Sequence, residues 1–157
     1  MIEVSTNNGT SWSTIIGSTP SSTGSYPWTI PNSPSTQCKV RLTDVADTSI
    51  KSTSSNTFII APVPTITITS PNGGENWKIG DADTVRWTSS DVTNVMIEYT
   101  TDNGISWTTI TASTSASAES YIWTIPNTPS VNCKVRISDF GNAGTNSSSN
   151  SLFTISN

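Results

Sequence analysis

The chain is 157 residues long, with seven Lys or Arg, eleven Asp or Glu, no His and a net charge of −4. A few scattered basic side chains give phosphate nothing to gather on, which excludes nucleic acid as a partner. Without His, Ser-His-Asp and Cys-His catalysis and His-ligated zinc are excluded as well. Charged residues make up only 11% of the chain, so it does not have the composition of a disordered polyelectrolyte. Roughly a third of the residues are Ser or Thr, and six Trp, three Tyr and three Phe supply bulk for small cores. Thr, Ile, Val, Trp and Tyr outweigh the good helix formers, which predicts strands. No apolar run approaches the length needed to span a membrane. Strand-like sequence follows Met1 at once, with no basic and apolar leader, so either a signal was removed or the chain is a fragment. The Ser/Thr-rich, Lys-poor composition suits an extracellular or cell-surface location.

The predicted elements begin with MIEVSTNNGTSW, Met1 to Trp12. This reads as a strand, a tight turn bending at Asn8-Gly9, and the start of a second strand at Trp12. Tyr26 to Ile30, Cys38 to Arg41 and Phe58 to Ile60 are further strand sequences. Ala61-Pro62-Val63-Pro64 follows as a linker, its two prolines favouring an extended backbone that holds its neighbours apart semi-rigidly. Thr65 to Thr69 then alternates strictly, with Ile66 and Ile68 on one face. Ser70 to Glu75 carries turn chemistry, and Trp77 is expected to fold inward as a lid on an edge. Thr84 to Thr88 alternates with Val85 and Trp87 inward and Arg86 outward.

Val95, Ile97 and Tyr99 form the next inward row, with Glu98 expected on an exposed face. Thr101-Asp102-Asn103-Gly104 is a second Asn-Gly turn, and Ser106 to Ile110 leads away from it. Thr111 to Glu119 is expected to be a polar loop. Tyr121 to Ile125 is a strand stopped by Pro126 and Pro129. Cys133 to Ile137 alternates, with Cys133, Val135 and Ile137 inward. Phe140 to Ser149 is expected to be a long loop before a closing strand at Leu152 to Ile155. About seven strands at roughly ten-residue spacing predict an all-β sandwich.

Residues 1–62 align without a gap on residues 96–157 at a constant offset of 95, with thirty-one of sixty-two pairs identical. A period near 95 fits an Ig-sized sandwich of about 100 residues and not the shorter solenoid or propeller repeats. The stretch from about Pro64 to Asn94 has no counterpart before Met1. The expected fold is therefore all-β: tandem Ig-like or fibronectin-III-like antiparallel β-sandwiches, the first one incomplete. Residues 1–62 would be the back half of one repeat and residues 63–157 a complete one.

Candidate chemistry is sparse. Cys38 and Cys133 occupy equivalent inward positions and read as buried thiols, an intermolecular disulfide being the other reading. Asp81, Asp83 and Asp91 cluster around the Trp87 strand, and Asp139 precedes a loop with Asn142. Their spacing matches no calcium-loop signature, so neither metal nor cofactor is expected. Glu75, Glu98 and Glu119 are the only glutamates of the second repeat and offer no evident glycosidase pair. Gly73-Gly74 lacks the Lys-Ser/Thr of a phosphate loop. The sequons Asn8-Gly9-Thr10 and Asn146-Ser147-Ser148 are short motifs of a kind common in a chain rich in Asn, Ser and Thr. Most aromatics fall on inward positions, with Trp77 and Trp107 the two open to a role in a sugar-stacking platform.

SPNGGENW at Ser70–Trp77, VRWTS at Val85–Ser89, VMIEYTTDNGISW at Val95–Trp107, YIWTIP at Tyr121–Pro126 and CKVRISD at Cys133–Asp139 together carry a resemblance. As a set they resemble the Ser/Thr-rich GPI-anchored membrane family and its bacterial and archaeal relatives, whose Ig-like or fibronectin-III-like domains recur in long secreted or wall-associated proteins. The resemblance implies a spacer, surface or adhesive role and carries no catalytic residues. Its lipid anchor is not implied, since no hydrophobic C-terminal tail is present. The stretch Thr100 to Trp107 also resembles an Asp-box, with Asn7 replacing the Asp in the first copy. That resemblance implies a structural turn made by Asp102, Asn103, Gly104 and Trp107, and by Asn8, Gly9 and Trp12 in the first copy.

The expected role is a non-catalytic spacer, stalk or filament-forming module that self-associates through its incomplete first repeat, either as a homo-oligomer or with upstream repeats of the same protein. A carbohydrate-binding or adhesin-type module with a glycan ligand is the alternative.

Overall fold

The computed structural model describes every residue from Met1 to Asn157. The chain is all-β, with two single-turn 3₁₀ segments, Ser21–Thr23 and Ala116–Ala118, as its only helical elements. No helix is long and apolar enough to cross a membrane. The backbone divides into two compact units, Met1–Val63 and Pro64–Asn157.

The first unit contains β1 (Ile2–Ser5), β2 (Ser13–Ile16), β3 (Ser35–Thr43), β4 (Lys51–Thr53) and β5 (Phe58–Ile60). They make a single antiparallel sheet in the order β2–β1–β3–β4, with β5 also paired to β3. The second unit contains β6 (Thr65–Ser70), β7 (Asn76–Lys78), β8 (Ala82–Ser90), β9 (Asn94–Thr100), β10 (Thr108–Ser115), β11 (Ser120–Thr124), β12 (Ser130–Asp139), β13 (Asn146–Ser148) and β14 (Phe153–Ser156). One sheet runs β10–β9–β12–β14–β7 with β13 on β12, and a three-stranded sheet runs β11–β8–β6. Every pairing is antiparallel except β7 on β14.

Alternation accounts for the second unit's core. Ile66 and Ile68 of β6, Val85 and Trp87 of β8 and Trp123 of β11 face Ile97 and Tyr99 of β9, Val135 and Ile137 of β12, and Phe153 and Ile155 of β14 in one buried cluster. The indole of Trp87 is buried, and its N–H donates to the Ala116 carbonyl at 2.9 Å, so no polar atom is stranded. Trp77 packs at 5.1 Å from Phe153 and 6.0 Å from Trp123 between ring centroids.

Several expectations need correction. The connection between β9 and β10 is longer than the expected turn Thr101–Gly104 and runs from Thr101 to Trp107, because strand pairing resumes only at Thr108. The polar stretch after Ile110 continues as strand to Ser115: β10 has one neighbour, β9, and Ser and Thr are tolerated on such a half-exposed edge. The expected loop at Phe140–Ser149 contains β13, held to β12 by Ser148 opposite Arg136 and Ser147 opposite Ile137. Trp77 folds inward from the edge strand β7, a strand not among the expected elements, where it is paired with Ile155. These additions raise the second unit from about seven strands to nine.

Tyr26 to Ile30 is the most informative departure. Its equivalent in the second unit, β11, is a strand because it pairs residue by residue with β8. The first unit holds no strand equivalent to β8, so the same sequence has no ladder to join and is irregular.

Candidate functional site

Two features of the molecule are built rather than incidental: a pair of loops with fixed side-chain networks, and a bare apolar sheet face on the first unit.

The loops come first. Asn103 and Gly104 both adopt positive φ, at 61° and 97°, a region that Asn tolerates and Gly enters freely. The Asp102 carboxylate accepts the Ser106 backbone N–H at 2.9 Å, the Ser106 hydroxyl and the Thr100 hydroxyl. Thr100 Oγ1 accepts the Gly104 N–H at 3.1 Å. These donors all favour the charged carboxylate, the Ser106 hydroxyl most, and they hold Asp102 well below the ordinary carboxylate range. The Asn103 N–H donates to the Asn132 carbonyl at 2.9 Å, and the Ser130 hydroxyl to the Thr101 carbonyl at 2.8 Å, tying the loop to β12.

The first unit repeats the arrangement with one inversion. Asn8 and Gly9 have φ of 58° and 91°. Asn7 Oδ1 accepts the Ser11 N–H at 2.9 Å, as Asp102 accepts that of Ser106. The Asn7 amide, however, donates to Ser11 Oγ at 2.8 Å, where Asp102 accepts from the Ser106 hydroxyl. One hydroxyl rotation thus accommodates the exchange of a carboxylate for an amide.

Each loop ends on a stacked cation. Arg136 lies 4.3 Å over the Trp107 ring and reaches Glu98 at 2.7 Å. Arg41 lies 4.3 Å over Trp12 and reaches Glu3 at 2.7 Å. Glu98 was expected on an exposed face. It does lie on the outer face, but the Arg136 guanidinium covers it and leaves it 8% exposed. The signal for this triad was in the sequence. Glu98 and Arg136 sit on neighbouring strands with outward parity, and a Trp follows the loop at the same spacing in both copies.

Other candidates fall into place around these. Trp77 cannot serve as a stacking platform, because it is 8% exposed with its ring against Phe153 and Trp123. Trp107 is half-buried with Arg136 over its ring. Cys38 and Cys133 are both free and fully buried, and burial pushes the Cys133 thiol up. Asp81 and Asp83 are near enough that, after partial burial, the Asp81 charge helps raise Asp83. No three carboxylates or thiols converge anywhere in the molecule. Glu75 is structural: its two oxygens accept the Asn72 and Gly73 N–H groups at 2.8 Å each, closing the turn before β7. Gly73 is required in that turn, since a Cβ there would lie 2.4 Å from Ser151 Cβ at a φ of +134°.

The second feature is the open face of the first unit. Its buried apolar side chains are Val4, Cys38 and Ile60, against sixteen in the second unit. Leu42 is 52% exposed where its equivalent, Ile137, is 0% exposed, and Ile30 is 53% exposed where Ile125 is 2% exposed. A groove of about 880 Å³ opens on this face, lined by Ile2, Ile15, Tyr26, Trp28, Val40 and Leu42 among others. The polar side chains of the two loops are bonded to one another, whereas the open face leaves apolar side chains uncovered. Comparison with protein families, with characterised proteins and with solved structures finds no match to this chain.

Proposed function

We propose that the chain is a non-catalytic structural module of a secreted or cell-surface protein, made of tandem Ig-like or fibronectin-III-like sandwiches. In this reading it works as a spacer, stalk or filament-forming unit and assembles with repeats of its own kind through residues 1–62. The observation that carries the reading is the contrast at equivalent positions. Leu42, Ile30 and Tyr26 are exposed in the first unit, while Ile137 and Ile125 are fully buried in the second. An apolar face of this extent is stable in water when something covers it.

Supporting points come from the groups an enzyme or lectin would need. Glu98 and Glu3 are committed to Arg136 and Arg41, and Glu75 to a backbone turn. The carbohydrate-binding alternative asks for a row of exposed rings; Trp77, Trp87 and Trp123 are in the core and Trp12 and Trp107 lie beneath arginines, which leaves Tyr26 and the half-buried Trp28 on the open face. The loops around Asp102 and Asn7 serve as structural turns.

Sedimentation velocity over a hundredfold concentration range tests the reading. The expected result is concentration-dependent assembly that Leu42→Asp abolishes. A monomer at every concentration, with residues 1–63 protected from hydrogen exchange, would overturn it.

A further inference from the structure

The repeat itself displays what covers the equivalent surface. In the second unit the sheet containing β9 and β12 is covered by β6 and β8, with β7 added along β14. The contacts these strands make have equivalents in the first unit at the offset of 95. Trp87 donates its indole N–H to the Ala116 carbonyl and its backbone N–H to the Glu119 carbonyl at 3.1 Å. The matching carbonyls belong to Ser21 and Gly24, in the same kind of 3₁₀ turn. Trp77 packs on Trp123 and Phe153, and the matching residues, Trp28 and Phe58, are identical.

Two hydroxyls complete the match. Ser149 Oγ donates to the Pro71 carbonyl at 2.8 Å, and Ser147 Oγ accepts the Ile68 N–H at 3.2 Å. Both have serine equivalents, Ser54 and Ser52. The first unit therefore keeps the acceptor half of an interface whose donor half is the segment Thr65–Ser90.

We propose that the open face of the first unit is a docking site for a three-strand segment of the Thr65–Ser90 pattern, the equivalents of β6, β7 and β8, supplied by another repeat of this kind. Its Trp77 equivalent enters between Trp28 and Phe58. Its β8 equivalent pairs with Tyr26–Thr29, which turns from irregular to strand, as β11 does on β8. This rests on the reading that residues 1–62 are an assembly surface, and it names the part of the partner that fits. A face-to-face packing of two first units would fill the same groove without these hydrogen bonds. Exchange of front halves among identical chains leaves the number of open faces unchanged. The donor is therefore a repeat whose own back half does not hold the segment.

The test adds a synthetic peptide of residues 64–94 to the full chain and follows binding by calorimetry, hydrogen exchange and sedimentation. The expected result is one peptide per chain, new protection at Ser25–Ile30 and at Leu42, and dissociation of any self-assembled species. A Trp77→Ala peptide should bind about a hundredfold more weakly. Leu42→Asp, placed where the free unit leaves Leu42 half in solvent, should keep the fold by circular dichroism and lose binding by at least about tenfold. No binding by a chain that still self-associates through Leu42 would overturn this inference and leave the assembly reading standing. No binding by a chain that is monomeric throughout would overturn both. Binding that Leu42→Asp does not weaken would place the peptide elsewhere and also overturn the inference.

Discussion

The two units spell much the same sheet and differ in what lies on it. Glu3, Arg41 and Trp12 reproduce Glu98, Arg136 and Trp107 with the same stacking distance and the same ion-pair length. The outer face of the sheet is thus complete in both. The inner face is complete in one. Val40 and Leu42 occupy the positions of Val135 and Ile137, yet only the latter two are fully buried. Local pairing and outer-face chemistry are therefore enough to specify the sheet. Burial of its apolar side depends on strands contributed from another part of the sequence. The state of Tyr26–Ile30 shows the same dependence in the backbone, since an identical Trp-Thr-Ile-Pro-Asn run is a strand where β8 is alongside and irregular where it is not.

The largest effect that could break this comparison is at matched tryptophans. Trp123→Ala should cost the second unit about 3–5 kcal/mol, the range for emptying a buried Trp site. Trp28→Ala should cost the first unit about 1 kcal/mol or less, because Trp28 is only half-buried. Hydrogen exchange resolved by unit is the suitable measurement, since two units need not share one unfolding transition. Equal losses would mean that the inner face of the first unit is covered after all. With a Thr65–Ser90 segment bound, the Trp28→Ala cost should rise toward that of Trp123→Ala.

An effect of about 1–2 kcal/mol is expected where the units agree. Arg136→Ala and Arg41→Ala each remove a cation from over an indole and leave a nearly buried carboxylate, Glu98 or Glu3, without its partner. Since each arginine is itself 24–32% exposed, the loss should stay below that of a fully buried pair. The same loss in both units, read by hydrogen exchange, would sharpen the separation of outer and inner faces. A loss confined to the second unit would contradict it.

How far the sequence foretold this follows from which interactions are local. Alternation exposed Ile66, Ile68, Val85, Trp87, Cys133, Val135 and Ile137 as inward residues, because period two is a property of one strand. The offset of 95 exposed the repeat because it needs no structure at all. Glu98 was placed on the correct face but at the wrong depth, because its cover comes from Arg136 on β12 and Trp107 beyond the loop, and single-strand periodicity contains neither. Whether Trp77 could also serve a stacking platform is open in the sequence for a similar reason: its partners are Phe153 and Trp123, about fifty to eighty residues away. Short strands such as β7 and β13 carry too few residues to show a period. The open face was legible only by subtraction, as a stretch of the second repeat without a counterpart in the first.

The smallest effect distinguishes the units at one atom pair. Asp102 is held below the ordinary carboxylate value of about 3.9 by hydrogen bonds that exist only in the folded loop. A depressed folded value means that the unfolded chain binds the proton more readily. The loop's contribution is then fully present above about pH 5 and is lost as pH falls toward the folded value. The first unit has an amide at the same place, Asn7, whose donated bond to Ser11 does not titrate. Local hydrogen-exchange protection at Thr100–Trp107 should therefore fall between pH 5 and pH 2.5, while protection at Ser5–Trp12, corrected for intrinsic rates, should hold. Asp102→Asn should flatten the first profile, with Ser106 Oγ turning to accept as Ser11 does, and Asn7→Asp should introduce the slope into the second. Acid sensitivity at Thr100–Trp107 that persists after Asp102→Asn would show that the titration does not belong to Asp102 and overturn the prediction.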